Sequence, residues 1–173
     1  QDPELAEKAK KAFEKALELS PKDSSILLGS FLADIAVKDF KTAKEKSDYC
    51  LKIYPDFSEC CWLSGLINIY LNDIEKGKDF IEKAKEKKYP VNNEISLNQL
   101  IEAFAQNENY KEIAPLYENL IKINPSQVQY KTSLAFVYRE LGEYEKAREL
   151  ALEILKTNPE LEDAVKKFLK TLK

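Results

Sequence analysis

A chain of 173 residues is long enough for one domain with a sizeable core. Its charges, 27 basic against 30 acidic for a net charge of -3, exclude the electrostatic footprint of a nucleic-acid binder. No apolar run approaches the ~20 residues a membrane-crossing helix needs, and no signal peptide is visible, so a cytoplasmic location is expected.

There is no His and no Met, and the chain begins at Gln1, which reads as an excised fragment or a processed form. Three cysteines, Cys50, Cys60 and Cys61, are poor support for a zinc site without His. They also lack an imidazole base for nucleophilic chemistry. Two readings stay open for them: buried small hydrophobes in a reducing compartment, or a disulfide from Cys50 to Cys60 or Cys61.

Asp2-Pro3-Glu4 reads as a helix start, because Asp caps and Pro fits the first helical position. The helix over 3–19 carries Ala6, Ala9, Phe13, Ala16 and Leu17 on one face. Pro21 follows, and Pro55, Pro90, Pro125 and Pro159 recur after it about every 34 residues, the mark of a repeat array. Against that frame, residues 1–21 are the second helix of a repeat whose first helix is missing. Its apolar face is expected to be exposed or paired with another copy.

Residues 22–55 hold a very apolar helix, Ile26 to Val37, then a second helix with Phe40, Ala43, Cys50 and Leu51. Residues 56–90 repeat the pattern with Trp62, Gly65, Ile69 and Tyr70, then Ile74, Gly77, Ile81 and Ala84. Residues 91–125 diverge most. Leu97, Leu100, Ile101 and Phe104 form the first helix, and Tyr110, Ile113, Tyr117, Leu120 and Ile121 the second. Pro115 falls inside that second helix, so it is expected to start late or to kink. Residues 126–159 pair Tyr130, Leu134, Ala135, Tyr138 and Leu141 with Tyr144, Ala147, Ala151, Ile154 and Leu155 across Gly142, whose tolerance of reversal angles ends the first helix. Residues 160–173 set Leu161, Val165, Phe168, Leu169 and Leu172 against Lys166, Lys167, Lys170 and Lys173, as a capping helix would.

The set Ala135, Tyr138, Gly142, Tyr144, Ala147 and Pro159 resembles a tetratricopeptide repeat (TPR), which combines a small residue, an aromatic, Gly, an aromatic, Ala and a terminal Pro over ~34 residues. The resemblance implies an all-α fold, a right-handed α-α superhelix. About four complete repeats would follow a half-repeat helix and precede a capping helix, with 1–173 as a single solenoid. It also implies a concave groove lined by each repeat's first helix. Carrying over the family's groove positions gives Leu28, Leu32 and Ile35, then Trp62, Leu66, Ile69 and Tyr70, then Ile95, Asn98 and Glu102, then Gln129, Thr132, Phe136 and Arg139. The N-terminal half of that groove would be apolar and the C-terminal half polar. Trp62 and Tyr70 would be the main partner contacts, since aromatics carry much interface energy. Leu28 and Leu32 can instead contact a missing helix or a neighbouring chain. These leucines stand where one TPR subclass uses polar residues to hold the carboxylate of chaperone tails, which argues against that role. Residues 107–169 are also similar to the C-terminal TPR regions of bacterial O-antigen ligase-like membrane proteins, which implies that any chemistry lies in a membrane domain outside this chain.

No Gly-rich phosphate loop, Walker-type GxxxxGK[ST] or GxSxG motif is present. The abundant carboxylates alternate with lysines at helical spacing, as in Glu82-Lys85 and Glu143-Lys146, the pattern of solvated faces. The chain therefore reads as a non-catalytic scaffold with no cofactor or metal. It would bind a peptide or helix of a protein partner and insert into no membrane. The alternative is a structural extension of a larger protein that self-associates through the N-terminal helix.

Overall fold

The computed structural model describes residues 2–172, and among them the chain is ten α-helices and one short 3-10 turn, with no strand. The fold class is that of an all-α helical-repeat solenoid. Two compact units divide the chain, Gln1–Val91 and Asn92–Lys173.

The first unit holds α1 (Pro3–Leu19), α2 (Ser24–Ala36), α3 (Phe40–Ile53), α4 (Ser58–Tyr70) and α5 (Ile74–Glu86), each packed on the next. Aspartates precede four of them, and three of these cap through the side chain. Asp2, Asp23 and Asp39 accept hydrogen bonds from the backbone N–H groups of Glu4, Ile26 and Thr42, at 3.0, 3.0 and 3.1 Å, satisfying donors that no intrahelical carbonyl can reach.

The tightest helix pair is α4 on α5. A Cβ built on Gly77 would lie 2.5 Å from the Ile69 side chain and 3.1 Å from the Gly65 carbonyl oxygen, so only glycine allows this approach. Between α1, α2 and α3 lies a buried ionic cluster. Asp34 is fully buried, with Lys46 at 2.5 Å and Lys10 at 3.4 Å, and Lys10 also reaches Asp39 at 2.5 Å. A carboxylate can sit this deep because two ammonium groups offset its desolvation.

Cys50 at the end of α3 and Cys60 in α4 form a disulfide with a Cα–Cα distance of 5.5 Å. Cys61 is buried and free. Of the two readings open for the cysteines, the disulfide describes Cys50 and Cys60, and the buried thiol describes Cys61.

The second unit holds α6 (Glu94–Ala105), α7 (Tyr110–Ile123), α8 (Val128–Glu140), α9 (Tyr144–Thr157), the turn Pro159–Leu161 and α10 (Glu162–Leu169). Ala135 and Ala147 are buried between α8 and α9, and the Tyr138 hydroxyl donates to Glu118 at 2.7 Å. Pro115 does not delay α7, which starts at Tyr110 and continues past it to Ile123. Its ring is on the exposed side.

The four hairpin turns share one device. Lys38, Asn72, Glu108 and Gly142 have φ of 60°, 63°, 54° and 74°. The N–H of the residue after each returns to a carbonyl five residues back, at 2.8–3.1 Å, as from Asp39 to Asp34 and from Glu143 to Tyr138. This is the Schellman closure of a helix by a left-handed residue.

Candidate functional site

The groove positions expected in the first unit are largely inside it. Trp62 is 1% exposed and stacks on Tyr89 with ring centroids 4.7 Å apart. Leu66 and Ile69 are buried as well, and half-buried Tyr70 stacks on Phe40 at 5.0 Å. Leu28 packs with Leu27, Cys50 and Cys60, and Ile35 is half-buried. Leu32 alone of this set is exposed. The expectation that Trp62, Leu66 and Ile69 face a partner is thus overturned. The cause is the glycine contact: with α5 drawn onto α4, Ile81 lies against Gly65 and Tyr89 covers Trp62.

The second unit corrects the other half of the expectation, because its open surface is aromatic as well as polar. Ile95, Glu102 and Gln129 are exposed on α6 and α8. Asn98 is half-buried, with its amide donating to the Glu94 carbonyl at 2.8 Å. Thr132 and Phe136 come together with other elements. They line a pocket of about 330 Å³ with Ile101 and Ala105 of α6 and Tyr110 and Tyr117 of α7. Phe136 is 42% exposed and meets Tyr110 edge-on at 6.2 Å.

A second pocket, about 230 Å³, opens on the other flank of α8. Thr132 and Ala135, Ile154 of α9, and Ala164, Val165 and Phe168 of α10 line it. Thr132 therefore borders both pockets. Arg139, half-buried, holds its guanidinium 4.5 Å from the Phe136 ring and 5.8 Å from the Phe168 ring, a cation–π arrangement. Its Nε and Nη2 donate to Glu140 at 2.9 and 2.7 Å, and its Nη1 to Thr171 at 3.4 Å.

Sequence reasoning placed Thr132, Phe136 and Arg139 here but treated Tyr110, Tyr117 and Phe168 as packing residues. A usable signal was present. Tyr110 and Tyr117 lie two turns apart on one face of α7, and small Ala105 and Thr132 stand across from them on α6 and α8, which leaves space open between the helices.

Two tyrosines of this unit, Tyr130 and Tyr138, serve as hydrogen-bond donors. Tyr130 donates to the Glu94 carboxylate, which raises its pKa. Burial, followed by the bond to Glu118, raises that of Tyr138 well above the ordinary phenol value. Both stay protonated through the physiological range. In the first unit, burial pushes the Cys61 thiol up, the reverse of what activates a thiolate nucleophile.

A family model described as tetratricopeptide repeat matches residues 4–23 and 128–161, which hold α1 and the α8–α9 hairpin. A thermophilic TPR protein of Thermus thermophilus is similar in structure, with TM-score 0.56 at 16% identity over 96% of this chain and 90% of that one. The chain has the TPR fold. A second TPR protein, YrrB, described as having an unusual peptide-binding site, is similar with TM-score 0.58 at 17% identity over 87% of this chain and 77% of that one. The Naa15/Naa10 assembly bound to HypK-THB matches with TM-score 0.54 at 20% identity, over 85% of this chain and 22% of the other. A search of curated proteins returns no match. These comparisons give no support to the resemblance with O-antigen ligase-like proteins, and among the described residues no helix is long and apolar enough to cross a membrane.

Within the TPR frame, α6 and α8 are first helices of successive hairpins, with α7 as the floor between them.

Proposed function

We propose that this chain is a non-catalytic protein-interaction scaffold that takes a peptide or a partner helix along α8 of its second unit. The observation that carries the reading is Phe136, a large ring left 42% exposed at the mouth of an aromatic pocket, where folding alone would favour its burial. That YrrB, similar in fold, is described as having a peptide-binding site supports the reading. Selection of a random-peptide display library on the folded chain tests it. Selected peptides are expected to lose about 10- to 30-fold in affinity on Phe136→Ala, the cost of truncating an interface anchor. The exposed position keeps the variant folded, as circular dichroism would verify. Equal binding to wild type and variant would remove the groove from the proposal.

A second reading, self-association through α1, is favoured by Leu5 and Leu19, 65% and 86% exposed on that helix. Light scattering over a concentration series is then expected to find a dimer that Leu5→Glu with Leu19→Glu disperses. A monomer at every concentration rejects it. The cytoplasmic setting sits against the Cys50–Cys60 disulfide, because such bonds are rare where thiols are kept reduced. Differential thiol alkylation of the protein in its host cell decides that question.

A further inference from the structure

We infer that the pocket between α8, α9 and α10 is a binding site for a small neutral molecule built on one ring or two fused rings. The site is separate from the peptide groove and does not rest on the groove reading.

The pocket follows from the sequence of the hairpins. From α2 to α9, the eighth residue of each first helix and the eighth of its partner hold matching places. Their meeting is seen at Gly65 and Ile81, where a Cβ on the glycine would lie 2.4 Å from the Ile81 side chain. Three hairpins put at least one large side chain at this level: Phe31 with Ser47, Ile81 with Gly65, and Ile101 with Tyr117. The last hairpin has Ala135 and Ala151, and both line the pocket of about 230 Å³. Neither helix supplies the side chain that would fill this level, and Val165 and Phe168 of α10 form a further wall.

Size and lining set the ligand. Drug-sized sites run from roughly 300 to 1,000 Å³, and an apolar cavity of about 150 Å³ holds benzene. At about 230 Å³ this pocket falls between the two, which fits one ring or two fused rings. Among the described residues of its lining none is charged, and Thr132 carries the one polar side chain. The Thr132 hydroxyl already donates to the Gln129 carbonyl at 2.8 Å, so a water inside would find fewer than the roughly two to four partners it needs. An apolar guest therefore displaces no well-held water, and an ionised one would lose its hydration without gaining a partner. Phe168 offers a ring for an offset or edge-on aromatic contact. The guest ring also takes the level that Phe31 and Tyr117 fill in two other hairpins.

The walls favour a free molecule. Thr132 and Ala164 are exposed, whereas Ala135, Ala151, Ile154 and Val165 are buried. The way in passes between α8 and α10. Most of the wall is inside the unit, which suits a free molecule over a ring tethered to a peptide backbone.

Indole, titrated into the full chain and followed by the NMR signals of the Ile154 and Val165 methyl groups, tests the inference. A saturable shift of these signals is expected. Tryptamine and indole-3-acetate carry the same ring with a positive or a negative charge, and each is expected to bind at least about tenfold more weakly. Ala151→Phe restores a large side chain at the level of the pocket and should weaken indole by at least about tenfold. Should that core variant not fold, Ala164→Leu at the exposed mouth carries the same expectation. No saturable shift in the wild type overturns the inference and makes the pocket a packing defect only. Equal binding of the three ligands, or indole binding unchanged in either folded variant, places the ring elsewhere and overturns it too. The effect of Phe136→Ala on library-selected peptides is untouched by all of these outcomes, so the two proposals fail separately.

Discussion

Lys38, Asn72 and Glu108 occupy the same backbone region as Gly142, yet carry side chains. Left-handed backbone costs an L-residue roughly 1–2 kcal/mol, against roughly 0.5–1 kcal/mol of extra chain entropy for glycine. Glu108→Gly is therefore expected to stabilise the protein by about 0.5 kcal/mol. Gly142→Ala should destabilise it by about 1 kcal/mol, and chemical denaturation would measure both. A Cβ at Gly142 would meet nothing within 4 Å, so that cost is purely backbone strain. The ionic cluster gives a second expectation at this scale. Lys10, then the Thr42 N–H, hold the Asp39 carboxyl at about 2, against 3.8 for an ordinary aspartate. Because its pKa is lower in the folded chain, Asp39 contributes stability above its unfolded value, and that contribution is lost as pH falls through about 2. NMR titration of the Asp39 carboxyl carbon should find that midpoint, and Lys10→Gln should move it up toward the ordinary value. An unmoved midpoint would assign the shift to the α3 N-terminus instead.

Between helices, the α4–α5 contact shows how one small residue redirects a face. The family pattern favours alanine where Gly77 stands, and by sequence the two are interchangeable small residues. In the folded chain they are not, because a Cβ there would press on Ile69 and on the Gly65 carbonyl oxygen. Gly77→Ala is expected to destabilise by about 1–3 kcal/mol, the usual range for overpacking, despite alanine's higher helix propensity. Near-UV circular dichroism should report a disturbed Trp62–Tyr89 stack. An unchanged midpoint and spectrum would mean that α5 shifts freely and that the glycine is incidental. This contact is also why the groove was only half legible. The helices and their apolar faces follow from spacing along the chain, and α1, expected over 3–19, spans Pro3–Leu19. Whether Trp62 faces a partner or Tyr89 depends on how closely the next helix approaches, which no local pattern encodes. In the second unit the same logic runs the other way. Tyr110 and Tyr117 look like core by periodicity, but small Ala105 and Thr132 leave their flank open.

Across the whole chain, evenly spaced prolines made the repeat organisation legible from the sequence, while the cysteine chemistry was not, because three closely spaced thiols allow more than one outcome. The disulfide joins α3 to α4, the second helix of one hairpin to the first helix of the next, and closes a loop with a sequence separation of 10. Chain-entropy arguments assign a loop of that size about 2–3 kcal/mol through restriction of the unfolded state. Both sulfurs sit in an apolar cluster with Leu27, flanked by Leu17, Leu28 and Phe57, so the folded chain shields the bond from small reductants. Reduction then proceeds through unfolding. The expected outcome is that reductant lowers the denaturation midpoint of the wild type by the equivalent of about 2–3 kcal/mol only after the chain has been unfolded and refolded in its presence. Cys50→Ala with Cys60→Ala should start from the lower midpoint and show no response to reductant. Cys61→Ala separates the bond from mere loss of buried sulfur: it should retain the full reductant response. A wild-type midpoint indifferent to reductant after refolding would mean that the apolar cluster, and not the covalent link, holds α3 to α4.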